Sequence, residues 1–108
     1  MKIYRLPKVF TEKWLTALRS GEYYQGKLYL GKSNRNCCLG VACIVAGIKP
    51  DYIESERLIH EDMLYLSQEL PKELLAGYNL ANRLVNLNDI GSSFLFIADW
   101  IENNVELY

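Results

Sequence analysis

A single histidine, three cysteines and the lack of any long apolar run set the first limits on this chain of 108 residues. One imidazole is too few for a zinc site. The cysteines, a Cys37-Cys38 pair followed by Cys43, do not follow a zinc-ligand spacing either. No metal and no cofactor are expected. A disulfide between the neighbours Cys37 and Cys38 would strain the backbone. The odd number of thiols, with a start (MKIYRLPKVF) that lacks the apolar core and cleavage site of a secretory signal, reads as reduced cysteine in a cytoplasmic protein. No stretch approaches the roughly 18–20 apolar residues that cross a bilayer, so no membrane partner is expected. The net charge of −1 offers no general attraction to nucleic acid, and no basic stripe exists beyond Lys27, Lys32 and Arg35. Linkers, repeats and low-complexity segments are also missing, which gives one domain over residues 1–108.

What is present is ordinary globular material. Half the residues are hydrophobic, enough to bury a core without metals or disulfide staples. Eight tyrosines stand against three phenylalanines, and tyrosine tips suit the rim of a pocket, an interface or a sheet edge. A first helix is expected from Thr11, as N-cap, to Gly21, with Phe10, Trp14, Ala17 and Leu18 on its core stripe and Arg19 on the polar side. A short strand is expected over 27–30 between Gly26 and Gly31, with residues 33–36 as a loop.

The segment NCCLGVACIVAG predicts a helix over 38–46 closed by Gly47. Only Gly40 interrupts its apolar circumference, so it belongs at the centre of the domain. Residues 52–66 read as two short strands or a ragged helix. Pro71 opens a short helix that stops at Gly77, and LANRLVNLN is a weak helix or extended segment. After a turn at 88–91, a last helix begins at Ser92 or Ser93, with Phe94, Ile97, Ala98, Ile101 and Val105 facing the core. The expected class is α+β: a single compact domain of three main helices, the cysteine-bearing helix central and buried, packed on a small antiparallel sheet from 27–30, 52–58 and 63–66.

Three places invite a functional reading. Cys37 and Cys38 stand at a helix N-terminus, whose partial positive charge favours a thiolate. With His60 and Asp89 or Asn88 they supply the inventory of a cysteine-dependent hydrolase or transferase. They are equally small hydrophobes among Leu, Val and Ala, the commoner role of free cysteine. The turn LNDIGSSF sets Asn88, Asp89 and Ser92 beside a helix start that offers backbone donors, and also reads as an ordinary helix cap. Arg19, Tyr23, Tyr24 and Gln25, with Asn36 near the cysteines, could hold a planar or anionic group, or form a solvated turn. Phe96 and Trp100 lie one turn apart on the side of the last helix away from the core. The N-terminal arm covers them or they meet another molecule, which makes a homo-oligomer one expectation.

The stretches KWLTALRSGEYYQGKLYL, NCCLGVACIVAG, LPKELLAG and LVNLNDIGSSFLFIADWIE resemble a family of small proteins of unassigned activity, encoded largely by bacteriophages and prophages. The resemblance covers most of the chain but not residues 48–68, so His60 corresponds to no family motif. It implies a phage or prophage accessory protein acting in the cytoplasm of a bacterial host cell. The function expected is non-catalytic: binding of a host protein, or sequestration of a small polar ligand. Cysteine-dependent catalysis is the alternative.

Overall fold

The computed structural model describes residues 2–48, 53, 58–60 and 70–108. Pro7 sets where the first helix starts. Its ring holds φ at −60°, and helix α1 (Lys8–Arg19) follows directly with no side-chain cap. Thr11, expected as the N-cap, lies instead inside the first turn and is buried, and its Oγ1 finds no hydrogen-bond partner among the described residues. The core face is Thr11, Trp14, Leu15 and Leu18, while Phe10 and Ala17 are half-buried at its margin. Both sets, 11, 14, 15, 18 and the expected 10, 14, 17, 18, fall on one helical stripe; the observed one is rotated about the helix axis so that Thr11 and Leu15 replace Phe10 and Ala17 at the core.

The strands are where the sequence reading needs most correction. Strand β1 (Tyr4–Leu6) pairs in parallel with the last strand, β5 (Val105–Leu107), with Tyr4 opposite Val105. A second sheet has the order β2 (Tyr24–Gln25), β4 (Arg35–Asn36), β3 (Gly31–Lys32); β4 is parallel to β2 and antiparallel to β3. Residues 27–30, expected as a strand, are a bent loop, and Leu28 at φ +75° lies outside the extended region altogether. Pairing falls on the residues either side of them. Ser33 and Asn34 take φ of +53° and +64°, the left-handed pair of a two-residue hairpin, so β4 occupies part of the segment read as loop. Of the strand expected over 52–58 only Ile53 and Leu58 are described, and neither is in a strand; that expected over 63–66 lies outside the described residues. The α+β class holds, but both sheets contain parallel pairs where an antiparallel sheet was expected.

Helix α2 (Cys38–Val45) is the central element, with Cys38, Leu39, Val41, Ala42 and Cys43 all buried. It ends as its sequence indicates. Gly47, at φ +85°, donates its N–H to Ile44 O, and Ile48 donates to Cys43 O, the paired bonds of a Schellman ending. Trp14 reaches across from α1 and donates its indole N–H to Cys38 O at 3.0 Å. The short helix expected after Pro71 is one 3-10 turn, Lys72–Leu74. The segment read as weakly helical is a full helix, α3 (Asn79–Asp89), which carries Asn88 and Asp89 in its last turn and displaces the expected turn to Ile90 and Gly91. Helix α4 (Phe94–Asn104) starts as expected, with Ser93 Oγ accepting the Phe96 N–H at 3.1 Å. Its core face is Phe94, Ile97, Ala98 and Ile101, continued by Val105. The described residues hold four α-helices in place of three.

Candidate functional site

Leu80, Leu84 and Asn88 are spaced four apart on α3, and all three are buried. Asn88 is thus a carboxamide on an apolar stripe, where it must find every hydrogen bond inside the protein. Its Oδ1 accepts the backbone N–H of Cys38 at 3.1 Å and Gln25 Nε2 at 3.0 Å. Its Nδ2 donates to Gly26 O at 2.7 Å and to Asp89 Oδ1 at 3.5 Å. A carboxamide has two acceptor sites and two donors, so its capacity is filled. Gln25 Nε2 also donates to Ser92 O at 2.6 Å, and Asp89 Oδ1 accepts the Leu28 N–H at 3.0 Å. The segments 21–26, 34–38 and 88–92 do converge, and Asn88 occupies the point of convergence.

Two close approaches lock this knot. Asn36 O accepts the Gly26 N–H at 2.8 Å, and Leu30 O accepts the Cys37 N–H at 3.1 Å as the loop runs into α2. That carbonyl of Leu30 lies over Gly40, and a Cβ on Gly40 would overlap it. Gly40 is the one residue without a side chain in an apolar helix because a backbone crosses it there.

The thiols face inward. Cys37 acts as the N-cap of α2, its Sγ accepting the Gly40 N–H at 3.4 Å, and is 4 % exposed; Cys38 is fully buried and Cys43 nearly so. Burial pushes the Cys37 thiol from its ordinary 9.0 up to about 11, outweighing the N–H groups of Gly40 and Leu39 that favour the thiolate. Burial also raises Cys38, helped by the neighbouring Cys37, and raises Cys43. His60 is exposed to solvent.

With Cys37 at about 11, only about one thiol in a thousand is ionised at pH 8, so iodoacetamide should alkylate the native protein roughly a hundredfold more slowly than the unfolded chain. The linked stability has a definite sign. A raised folded-state value means the contribution is complete below pH 9.0 and is lost as pH rises through about 11. Urea midpoints measured from pH 8 to pH 11 should therefore fall.

The remaining sequence candidates divide. Arg19 turns away from the knot to pair with Asp99 at 2.8 Å and Glu102 at 3.2 Å, joining the end of α1 to α4; those partners raise its pKa, Asp99 most. Tyr23 packs half-buried against the core, whereas Tyr24 is exposed. Trp100 lies beside Tyr4 of the N-terminal arm, ring centroids 6.0 Å apart, and is half-buried there; Phe96 remains exposed. Among the described residues no group of three or more His, Cys, Asp or Glu side chains could hold a metal ion, and no helix is long and apolar enough to cross a membrane.

Residues 7–77 match DUF8296, a domain of unknown function. The chain belongs to the DUF8296 family. The matched region of DUF8296 takes in α1, the loop from Gly21 to Asn36 and α2, while Asn88, Asp89 and Ser92 follow it in the chain. No curated protein and no solved structure matches the chain.

Sequence reasoning missed Leu28. A leucine held at φ +75°, its N–H bonded to Asp89 and its side chain 56 % exposed, has no signature in composition or periodicity. The knot had a signal that could have exposed it: Asn88 falls four residues after Leu84 on an otherwise apolar stripe.

Proposed function

We propose that this protein is a non-catalytic accessory protein, of bacteriophage or prophage origin as its motif resemblance implies, that binds a host protein in the bacterial cytoplasm. The carrying observation is Leu28. Left-handed backbone costs an ordinary L-residue roughly 1–2 kcal/mol, and strained residues persist where surrounding structure over-determines them, commonly at ligand contacts. Leu28 shows an apolar side chain to solvent from such a position. Tyr24 and Tyr29 are exposed on the same loop, and Ile90 and Leu95 on the segment that the knot ties to it. Exposed apolar groups gathered on adjoining segments fit a protein contact better than a small polar ligand. The buried thiols and the filled Asn88 carboxamide support the same reading, because neither presents a reactive or unused polar group to a substrate.

Leu28→Gly separates binding from stability. Glycine relieves the left-handed strain but adds freedom to the unfolded chain, so the unfolding free energy from urea melts should stay within about 1 kcal/mol of wild type. The host protein that co-purifies with the wild-type chain, identified by mass spectrometry, should be lost with Leu28→Gly and with Ile90→Ser, and kept with Cys37→Ser. Retention by both surface variants, or loss only with the cysteine variant, contradicts the proposal.

A further inference from the structure

On the opposite side of α4 from its core face lies a cleft of about 570 Å³, walled by the N-terminal arm, α3 and the end of α4. Small-ligand sites span roughly 300–1,000 Å³. Its lining includes Lys2 and Tyr4 from the arm, Arg83 from α3, and Trp100, Asn103 and Asn104 from α4, with no carboxylate among them. Two cations thus face one cleft in a protein whose net charge is −1. Among the described residues neither cation is paired with a carboxylate. Lys2 Nζ donates to the backbone carbonyl of Glu102 at 3.0 Å, and the ion pairs present are those of Arg19. The Arg83 guanidinium carbon lies 5.7 Å from the centroid of the Trp100 ring, and the Tyr4 ring lies 6.0 Å from it, tilted by 47°. Asn104 spends its Nδ2 on Trp100 O at 2.8 Å, which fixes that corner of the cleft.

We infer that this cleft is a binding site for a ligand that joins a flat heterocycle to a phosphate: in chemical class, a free mononucleotide. The assignment does not depend on the Leu28 face. Aromatic rings and guanidinium planes are the surfaces on which unstacked bases lie, and Trp100, Tyr4 and Arg83 supply them here. A carboxamide offers a donor and an acceptor together, the pattern a base edge complements, and Asn103 carries one at the cleft wall. Arg83 and Lys2 supply the charge for the phosphate. Arginine takes phosphate oxygens two at a time, and lysine acts as a point charge. An apolar peptide would leave both cations unanswered, and inorganic phosphate alone would leave the indole unused.

The test is a ¹H–¹⁵N NMR titration of the full chain with AMP, CMP, adenosine, inorganic phosphate and a short oligothymidylate. The two indole N–H signals report separately, because Trp14 is fully buried and bonded to Cys38 O and serves as an internal control. A mononucleotide should move the Trp100 signal to saturation and leave the Trp14 signal in place. Adenosine and phosphate should each bind about tenfold more weakly than AMP, or weaker still, and Arg83→Ala should lose about tenfold in AMP affinity. Arg83 is exposed, so the variant should keep the wild-type spectrum; Arg83→Gln provides a second variant that removes the charge and keeps most of the stem. No saturable shift at Trp100 with either nucleotide, or full AMP affinity in both Arg83 variants, overturns the assignment. Tighter binding of the oligomer than of the mononucleotides overturns it as well, in favour of a strand-binding cleft.

Discussion

Gly40→Ala should prevent the chain from folding stably, or cost more than about 4 kcal/mol where it does fold. In a helix interior this exchange ordinarily stabilises by about 1 kcal/mol, since alanine is the best helix former and glycine among the poorest. Here the sign reverses. The new Cβ would overlap Leu30 O and come within 3.2 Å of Asn36 Cβ, and the obstruction is backbone, not the end of a flexible side chain. Leu30 O cannot retreat freely, because it accepts the Cys37 N–H that brings the loop into α2. Gly47→Ala is the natural control. That position is open but left-handed at φ +85°, so the cost should be only about 1 kcal/mol. Urea melts followed by far-UV circular dichroism give both numbers, and a Gly40→Ala protein as stable as wild type would mean that loop and helix do not cross as described.

Asn88→Ala should lose about 3–5 kcal/mol, the second-largest effect expected of a single substitution. Truncation strips partners from the Cys38 N–H, the Gln25 carboxamide and Gly26 O at once. Each polar group left unsatisfied costs roughly 1–3 kcal/mol, with part of the Gln25 loss offset by its bond to Ser92 O. Asn88→Leu, which restores the apolar stripe of α3, should rescue little, since the same groups stay orphaned. Asn88→Asp should also fail. It keeps acceptors for Cys38 and Gln25 but sets a buried carboxylate against Gly26 O and beside Asp89. A residue kept for ligand contact alone would behave differently, with all three variants folding at near wild-type stability.

How much of this could be read in advance depended on the range of the forces involved. Local signals were legible. Gly47 and Ser93 marked the ends of their helices because capping is settled within a turn. The apolar circumference of 38–46 marked a buried helix, because no amphipathic alternative exists for such a pattern. Thr11 misled because proline fixes a helix start without a hydrogen bond, and a threonine suited to capping went instead to the core. The strands misled for a longer-range reason. The pairings of Tyr24 with Arg35 and of Tyr4 with Val105 are parallel, so no turn between them announces the register. The candidate site shows the same division. Gln25, Asn36, Asn88, Asp89 and Ser92 were singled out in separate segments; the fold brings those segments together, and their meeting makes a hydrogen-bond knot around Asn88. Whether polar turns form a pocket or a knot depends on which side chain fills the centre, and that follows from the segment LANRLVNLN being a full helix that runs on to Asp89. Arg19, grouped with the tyrosines by proximity in sequence, left for α4 because Asp99 and Glu102 stand there with opposite charge.

The most direct test is amide hydrogen exchange at Cys38. This residue opens α2, where N–H groups have no partner within the helix and ordinarily exchange fast. Among the described residues its hydrogen-bond partner is the Asn88 carboxamide, reached across fifty residues of chain. Exchange as slow as that of the core amides, occurring only with global unfolding, is the expected result. Exchange at the rate of an open helix N-terminus would mean that the centre of the knot is accessible, and that these motifs face a ligand after all.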